Sequence, residues 1–144
     1  MSIYEGESMD SYGDPQEDAK ALTAERIDWR RVPVNDLCDR SAALCFLNDS
    51  GLRFYTPAIM SIIIRDEDER GLLTESFLFH LHDIRKSCRV RDKLFREVYT
   101  SSQRAAIIRF VKYLLHNVPG GYVDDALVKT LHGLQHCSRQ PIVE

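Results

Sequence analysis

An all-α fold of six or seven helices is predicted for this 144-residue chain by three observations. Apolar residues recur at spacings of three and four along nearly the whole sequence. Helix-start signals stand before the strongest stripes, at Thr56-Pro57, Thr100 to Gln103 and Asp124. The length suits one ordinary domain, with enough apolar residues for a core.

The elements follow in chain order. Residues 1–15 are acidic, contain Gly6, Gly13 and Pro15, and lack an apolar run, so they read as a flexible acidic tail. Residues 16–138 read as one helical domain and 139–144 as a short C-terminal tail. Ala19, Leu22 and Ile27 predict a short amphipathic helix over 16–27 that fades at Asp28-Trp29. Pro33 precedes a second helix, Val34 to about Asn48, with a stripe that includes Leu37, Ala42 and Cys45. The Asn48 to Gly51 cluster reads as a turn, and Pro57 as the first position of a buried helix over 58–65. The three consecutive isoleucines there leave a buried strand as the competing reading. Leu73, Phe77, Leu78 and Leu81 share one helical face after Gly71, and Val90, Leu94, Phe95 and Val98 do so over 90–98. Thr100-Ser101-Ser102-Gln103 has the form of a capping box and opens the best helix, Ser101 to His116, which Pro119-Gly120-Gly121 ends. Asp124 caps a last helix carrying Leu127, Thr130, Leu131 and Leu134 on one face.

The formal net charge of −3 is unevenly distributed. Residues 1–20 hold six acids against Lys20, a net of −5. Asp66 to Glu69 form a second acidic run. Residues 85–112 hold nine bases against Asp92 and Glu97, a net of +7. No apolar run approaches the ~18–20 residues that span a bilayer, and no secretory signal stands in the first twenty residues, so a cytoplasmic protein with no membrane partner is expected. Cys38, Cys45, Cys88 and Cys137 form no C-x-x-C pair and are expected as reduced, mostly buried thiols.

Catalytic constellations are missing. There is no G-x-S-x-G, no phosphate-binding glycine loop and no recognisable paired-carboxylate motif. His80 and His82 would diverge by about 200° on a helix. His132 and His136 share a face, but Gly133 stands where a zinc protease needs Glu, so no metal and no cofactor are expected. Cys88 lies among Arg85, Lys86, Arg89 and Arg91, which would lower a thiol's pKa, yet no base or orienting group accompanies it.

The segment Phe46 to Met60 reads FLNDSGLRFYTPAIM. It resembles a family of small uncharacterised bacterial proteins that share FL-x-x-x-G-x-R-[FY]-Y-x-P-A-x-M. Trp29 and Pro33 upstream, and Phe110, Tyr113 and Leu114 downstream, fit the same layout, so the resemblance covers most of residues 22–135. It implies no activity and no catalytic residue. Within the motif, Gly51 permits a left-handed turn, and Arg53 and Tyr55 beside a helix N-terminus suit an anion.

These readings lead to a non-enzymatic protein-binding module, an immunity or regulatory factor, whose partner is another protein. Two alternatives remain: a small enzyme or anionic-ligand domain using the Arg53/Tyr55 loop, and nucleic-acid binding through the basic stretch. The candidate binding residues are Arg53, Tyr55, Arg85, Arg89, Arg91 and Arg96.

Overall fold

Helix formation in this chain is decided by caps and by long-range partners. The structure is a computed structural model and describes residues 1–117 and 124–139. The Pro119-Gly120-Gly121 stop and the tail beyond Arg139 lie outside the described residues. The fold is all-α, with one two-stranded ribbon among the described residues. Two compact units divide it, residues 1–78 and 79–144.

The first unit begins with α1 (Ile3–Asp10) and α2 (Pro15–Ala21). Residues 1–15 are therefore not a flexible tail. Ser2 caps α1, Asp14 caps α2 through the Gln16 and Glu17 amides, and Ile3 is only 1% exposed. The Ile3 amide donates to the buried Tyr55 hydroxyl at 2.9 Å. Gly6 lies so close to Ala43 that an added Cβ would come within 3.0 Å of the Ala43 carbonyl. Contacts more than thirty residues away thus supply the burial that the local sequence lacks.

The expected 16–27 helix stops at Ala21, and Leu22 and Ile27 are exposed. The expected helix from Val34 to Asn48 is broken. Its first part is α3 (Val34–Cys38), and the rest is a 3₁₀ turn over Ser41–Phe46. Arg40 lies at the break with a non-helical backbone. Its Nε and Nη2 donate to the two Glu17 carboxylate oxygens at 2.7 and 2.9 Å, and Nη1 donates to the Asp36 carbonyl at 3.1 Å. Its guanidinium also lies 4.8 Å from the centre of the Tyr4 ring. The Tyr4 hydroxyl donates to Asp36. One buried cation thereby joins α1, α2 and α3.

Asn48 is a cap, not a turn residue. Its side chain accepts from the Gly51 amide at 3.0 Å, and α4 runs unbroken from Asp49 to Ile64. Pro57 lies inside this helix, where it has no N–H to donate to the Arg53 carbonyl. Burial of Leu52, Tyr55, Ile59 and Ile62 on one helix offsets that loss. Gly51 has no positive φ. It is small because an added Cβ would sit 2.8 Å from the Met1 carbonyl. Within the acidic run 66–69, Asp68 accepts from the Thr74 amide and hydroxyl at 2.7 and 2.8 Å in the first turn of the next helix, α5 (Leu72–Ser87).

The second unit takes in the later turns of α5, the ribbon β1 (Arg89–Val90) and β2 (Lys93–Leu94), and α6 (Phe95–Val98). It continues with α7 (Ser101–His116) and α8 (Asp125–Arg139). The helix expected over 90–98 is a hairpin followed by a single helical turn. The reason is a tight reversal at Arg91-Asp92, with Arg91 at φ 58, that pairs Val90 with Lys93. α7 matches the expected range, with a reciprocal Thr100/Gln103 capping box. Asp124 caps α8 through the Ala126 amide. Ile107, Phe110 and Val111 of α7 and Leu127 and Leu134 of α8 are buried.

Arg104 of α7 is buried like Arg40 but contacts neutral oxygens. Its Nε donates to Ser138 at 3.3 Å, and Nη1 donates to the Arg96 and Tyr99 carbonyls at 3.2 and 2.5 Å.

Two tests follow from the first unit's packing. Arg40→Met leaves the Glu17 carboxylate, 10% exposed, without its main partner, and should cost about 3–5 kcal/mol in urea unfolding. Arg40 holds Glu17 below its ordinary value of 4.5, chiefly by hydrogen bonding. The pair's stabilisation is therefore complete above that value and is lost as pH falls through the lower native pKa. Glu17→Gln should flatten the acid limb of the stability curve. Tyr55→Phe leaves the buried Ile3 amide without an acceptor and should cost about 1–3 kcal/mol in the same measurement.

Candidate functional site

Six residues were expected to bind a partner, and the structure separates them into three settings. Arg53 and Tyr55 do not form a loop site. Both lie on α4, two residues apart and hence about 200° around the helix. Tyr55 is 2% exposed, and its hydroxyl accepts from Ile3. It borders a cleft of about 370 Å³ together with Tyr4, Thr23, Glu25 and Asp36, and Arg53 is not among the lining residues. The polar groups of that cleft are already engaged within the fold. Tyr4 donates to Asp36, and Glu25 accepts from the Ile27 and Asp28 amides. Sequence spacing gave no sign of this cleft, because Tyr4 and Asp36 meet only through tertiary packing.

Arg85 and Arg96 are half-buried. The Arg85 stem passes so close to Gly133 that an added Cβ would lie 2.5 Å from Cγ, and its Nη2 lies 3.2 Å from His82 Nε2. The Arg96 carbonyl accepts from Arg104.

Arg89 and Arg91 stand together on the ribbon, and both are exposed. Lys93 on β2 and Lys86 near the end of α5 are exposed as well. These two lysines were not among the binding residues expected from the sequence, although they belong to the same basic run. Arg89 Nη1 donates to the Asp92 carbonyl at 2.7 Å, which closes the ribbon across its turn. The only acid among the six residues 89–94 is Asp92. Arg91 adopts a positive φ without being glycine, a strained backbone that persists only where surrounding contacts over-determine it.

The charge division follows the two units. Residues 1–78 hold sixteen acids and eight bases, a net of −8. Residues 79–144 hold six acids and eleven bases, a net of +5. The ribbon is therefore part of a cationic unit.

Neighbouring His80 reports on this charge. Its Nε2 lies 3.0 Å from the Tyr99 hydroxyl. Burial, and then the Arg91 charge, push the imidazole down to about 4.

The family match takes in both units, from residue 1 to residue 134. The chain belongs to DUF6714, a family of unknown function. No curated protein matches the chain, and no solved structure matches it. The DUF6714 match includes residues 1–15, in agreement with their ordered packing against the rest of the first unit. Among the described residues of this DUF6714 chain, no cluster of three His, Cys, Asp or Glu could hold a metal ion. No described helix is long and apolar enough to cross a membrane.

Arg91→Gln removes the cation nearest in effect to His80. It should raise the His80 pKa above about 4 in an NMR titration while leaving the helical signal unchanged. Neutral His80 stabilises the second unit fully above its ordinary 6.5. That contribution is lost as pH falls from 6.5 towards about 4, so the variant should lose less stability over the same interval.

Proposed function

We propose that this protein is a non-enzymatic binding module that engages an acidic surface on a partner protein through the ribbon Arg89–Leu94. The observation that carries the reading is the placement of Arg89, Arg91 and Lys93, all exposed on one tight hairpin with a single acid between them. Complementary charge of this kind speeds encounter and fixes orientation. A rigid ribbon also presents its cations at low entropic cost, since the backbone is already ordered. An immunity or regulatory factor, which holds a partner without turning over a substrate, fits this reading.

Anion recognition by Arg53 and Tyr55 has lost its support, because the two side chains diverge on α4 and the Tyr55 hydroxyl is engaged. Nucleic acid shares the attraction to exposed cations and becomes an outcome of the test.

Fluorescence anisotropy with a labelled polyglutamate peptide and with a duplex DNA of similar charge separates the two. The expected result is peptide binding that weakens with salt and falls at least about tenfold in Arg89→Glu/Arg91→Glu/Lys93→Glu, equivalent to about 1.4 kcal/mol. Tighter binding to DNA, with a steep salt slope, would replace the acidic protein by nucleic acid. Equal binding by wild type and the triple variant would remove the ribbon from the function.

A further inference from the structure

Two of the four cysteines are not free thiols. Cys88 and Cys137 form a disulfide with a Cα–Cα distance of 5.0 Å across 49 residues of chain, while Cys38 and Cys45 are in no disulfide. The expectation of four reduced thiols is corrected for this pair. C-x-x-C spacing could not reveal it, because the two sulfurs are brought together by the packing of α8.

The surroundings of this bond differ from those of a staple that a fold cannot lose. The second unit is held by other means. Leu127, Thr130 and Leu134 of α8 are buried, α8 packs on α7, and Arg104 binds Ser138 one residue beyond Cys137. The reduced state has its partner in place, since Cys137 Sγ lies 3.9 Å from the Ile84 carbonyl, an acceptor for the thiol.

The two sulfurs are also unequal. Cys137 is 2% exposed, whereas Cys88 is only half-buried, so an incoming thiolate reaches Cys88. Arg85, Lys86, Arg89 and Arg91 all lie within three residues of Cys88, with Asp92 the nearest acid in the chain. Cations so placed stabilise the Cys88 thiolate, the group released in the second step of an exchange that begins by attack on Cys88. Cys88 has a φ of 57, strained for a residue with a side chain. Its carbonyl accepts from the Phe95 amide at 2.8 Å and so closes the base of the cationic ribbon.

We propose that Cys88–Cys137 is a thiol–disulfide exchange site, opened by a dithiol reductant and closed by a small disulfide oxidant, whose opening loosens the base of the ribbon. A reductant thiolate attacks Cys88 Sγ and forms a mixed disulfide. The Cys88–Cys137 bond breaks, and its electron pair leaves on Cys137, which takes a proton. The second reductant thiol then loses its proton and displaces Cys88 as a thiolate, which is protonated in turn, closing the reductant's own disulfide. Two electrons and two protons pass from the dithiol to the protein. This inference does not depend on what the ribbon binds.

The test uses the full chain purified without reductant. Thiols counted after denaturation should number two before native treatment with dithiothreitol and four after it, with the helical circular dichroism retained. Oxidised glutathione should restore the Cys88–Cys137 bond, read by non-reducing peptide mapping. Hydrogen exchange at the Phe95 amide should accelerate at least about threefold on reduction, as expected when local opening becomes easier. In Cys137→Ser, oxidised glutathione should modify Cys88 ahead of Cys38, whose thiol is pushed up to about 11 by burial and by Asp68. Four thiols in the oxidised chain, opening only with loss of helix, or a glutathione adduct on Cys38 before Cys88 would each overturn the exchange site. An unchanged Phe95 exchange rate would overturn its link to the ribbon.

Discussion

A guanidinium cannot be buried without partners, and the first unit is arranged around satisfying one. Arg40 is held by Glu17 from α2, by the Asp36 carbonyl of α3 and by the face of Tyr4 from α1. At Arg40 the backbone leaves the helical region and turns, which divides what would otherwise be one helix into α3 and a 3₁₀ segment. The position of Arg40 requires α1 and α2 to be present, since they bring Tyr4 and Glu17. The most acidic part of the chain is thus ordered because a buried cation demands an acid there. Burying such a pair is seldom a net gain over apolar packing, but leaving one member alone is costly. The pair therefore specifies the arrangement of helices more than it adds stability.

The second unit solves the same problem with neutral oxygens. Arg104 donates to Ser138 and to two backbone carbonyls. No acid is used up in compensating it, and the unit keeps its positive balance. The cations of the ribbon are then exposed on a hairpin whose turn and base are tied by the Asp92 and Cys88 carbonyls. The low pKa of His80 comes first from burial and then from Arg91, one of the cations of this stretch.

Much of this fold was legible from residue order. α7 and α8 were readable because their caps and stripes are local, with Thr100/Gln103 and Asp124 acting within one turn of the residues they cap. The buried character of Ile59 and Ile62 was equally clear from their apolar surroundings. The misplaced elements share a different property. Asn48 reads as a turn residue by type but caps a helix that runs on through Pro57, because the apolar face of α4 outweighs one missing hydrogen bond. The 90–98 stripe has helical spacing, yet the reversal at Arg91-Asp92 sends it into a ribbon. The basic run was visible as a charge count, but the count could not separate exposed Arg89, Arg91 and Lys93 from the half-buried Arg85 and Arg96.

By itself the sequence determined the helical class, the unequal distribution of charge and the absence of a familiar catalytic motif, because each follows from residue type and near spacing. Tertiary structure alone decided that residues 1–15 pack as helices, that Arg53 and Tyr55 diverge, and that Cys88 meets Cys137. Each of these depends on groups brought together from distant positions: Ile3 with Tyr55, Glu17 with Arg40, and one sulfur with another across 49 residues. Local propensity is silent about such pairs, since their energy exists only once the chain between them has folded.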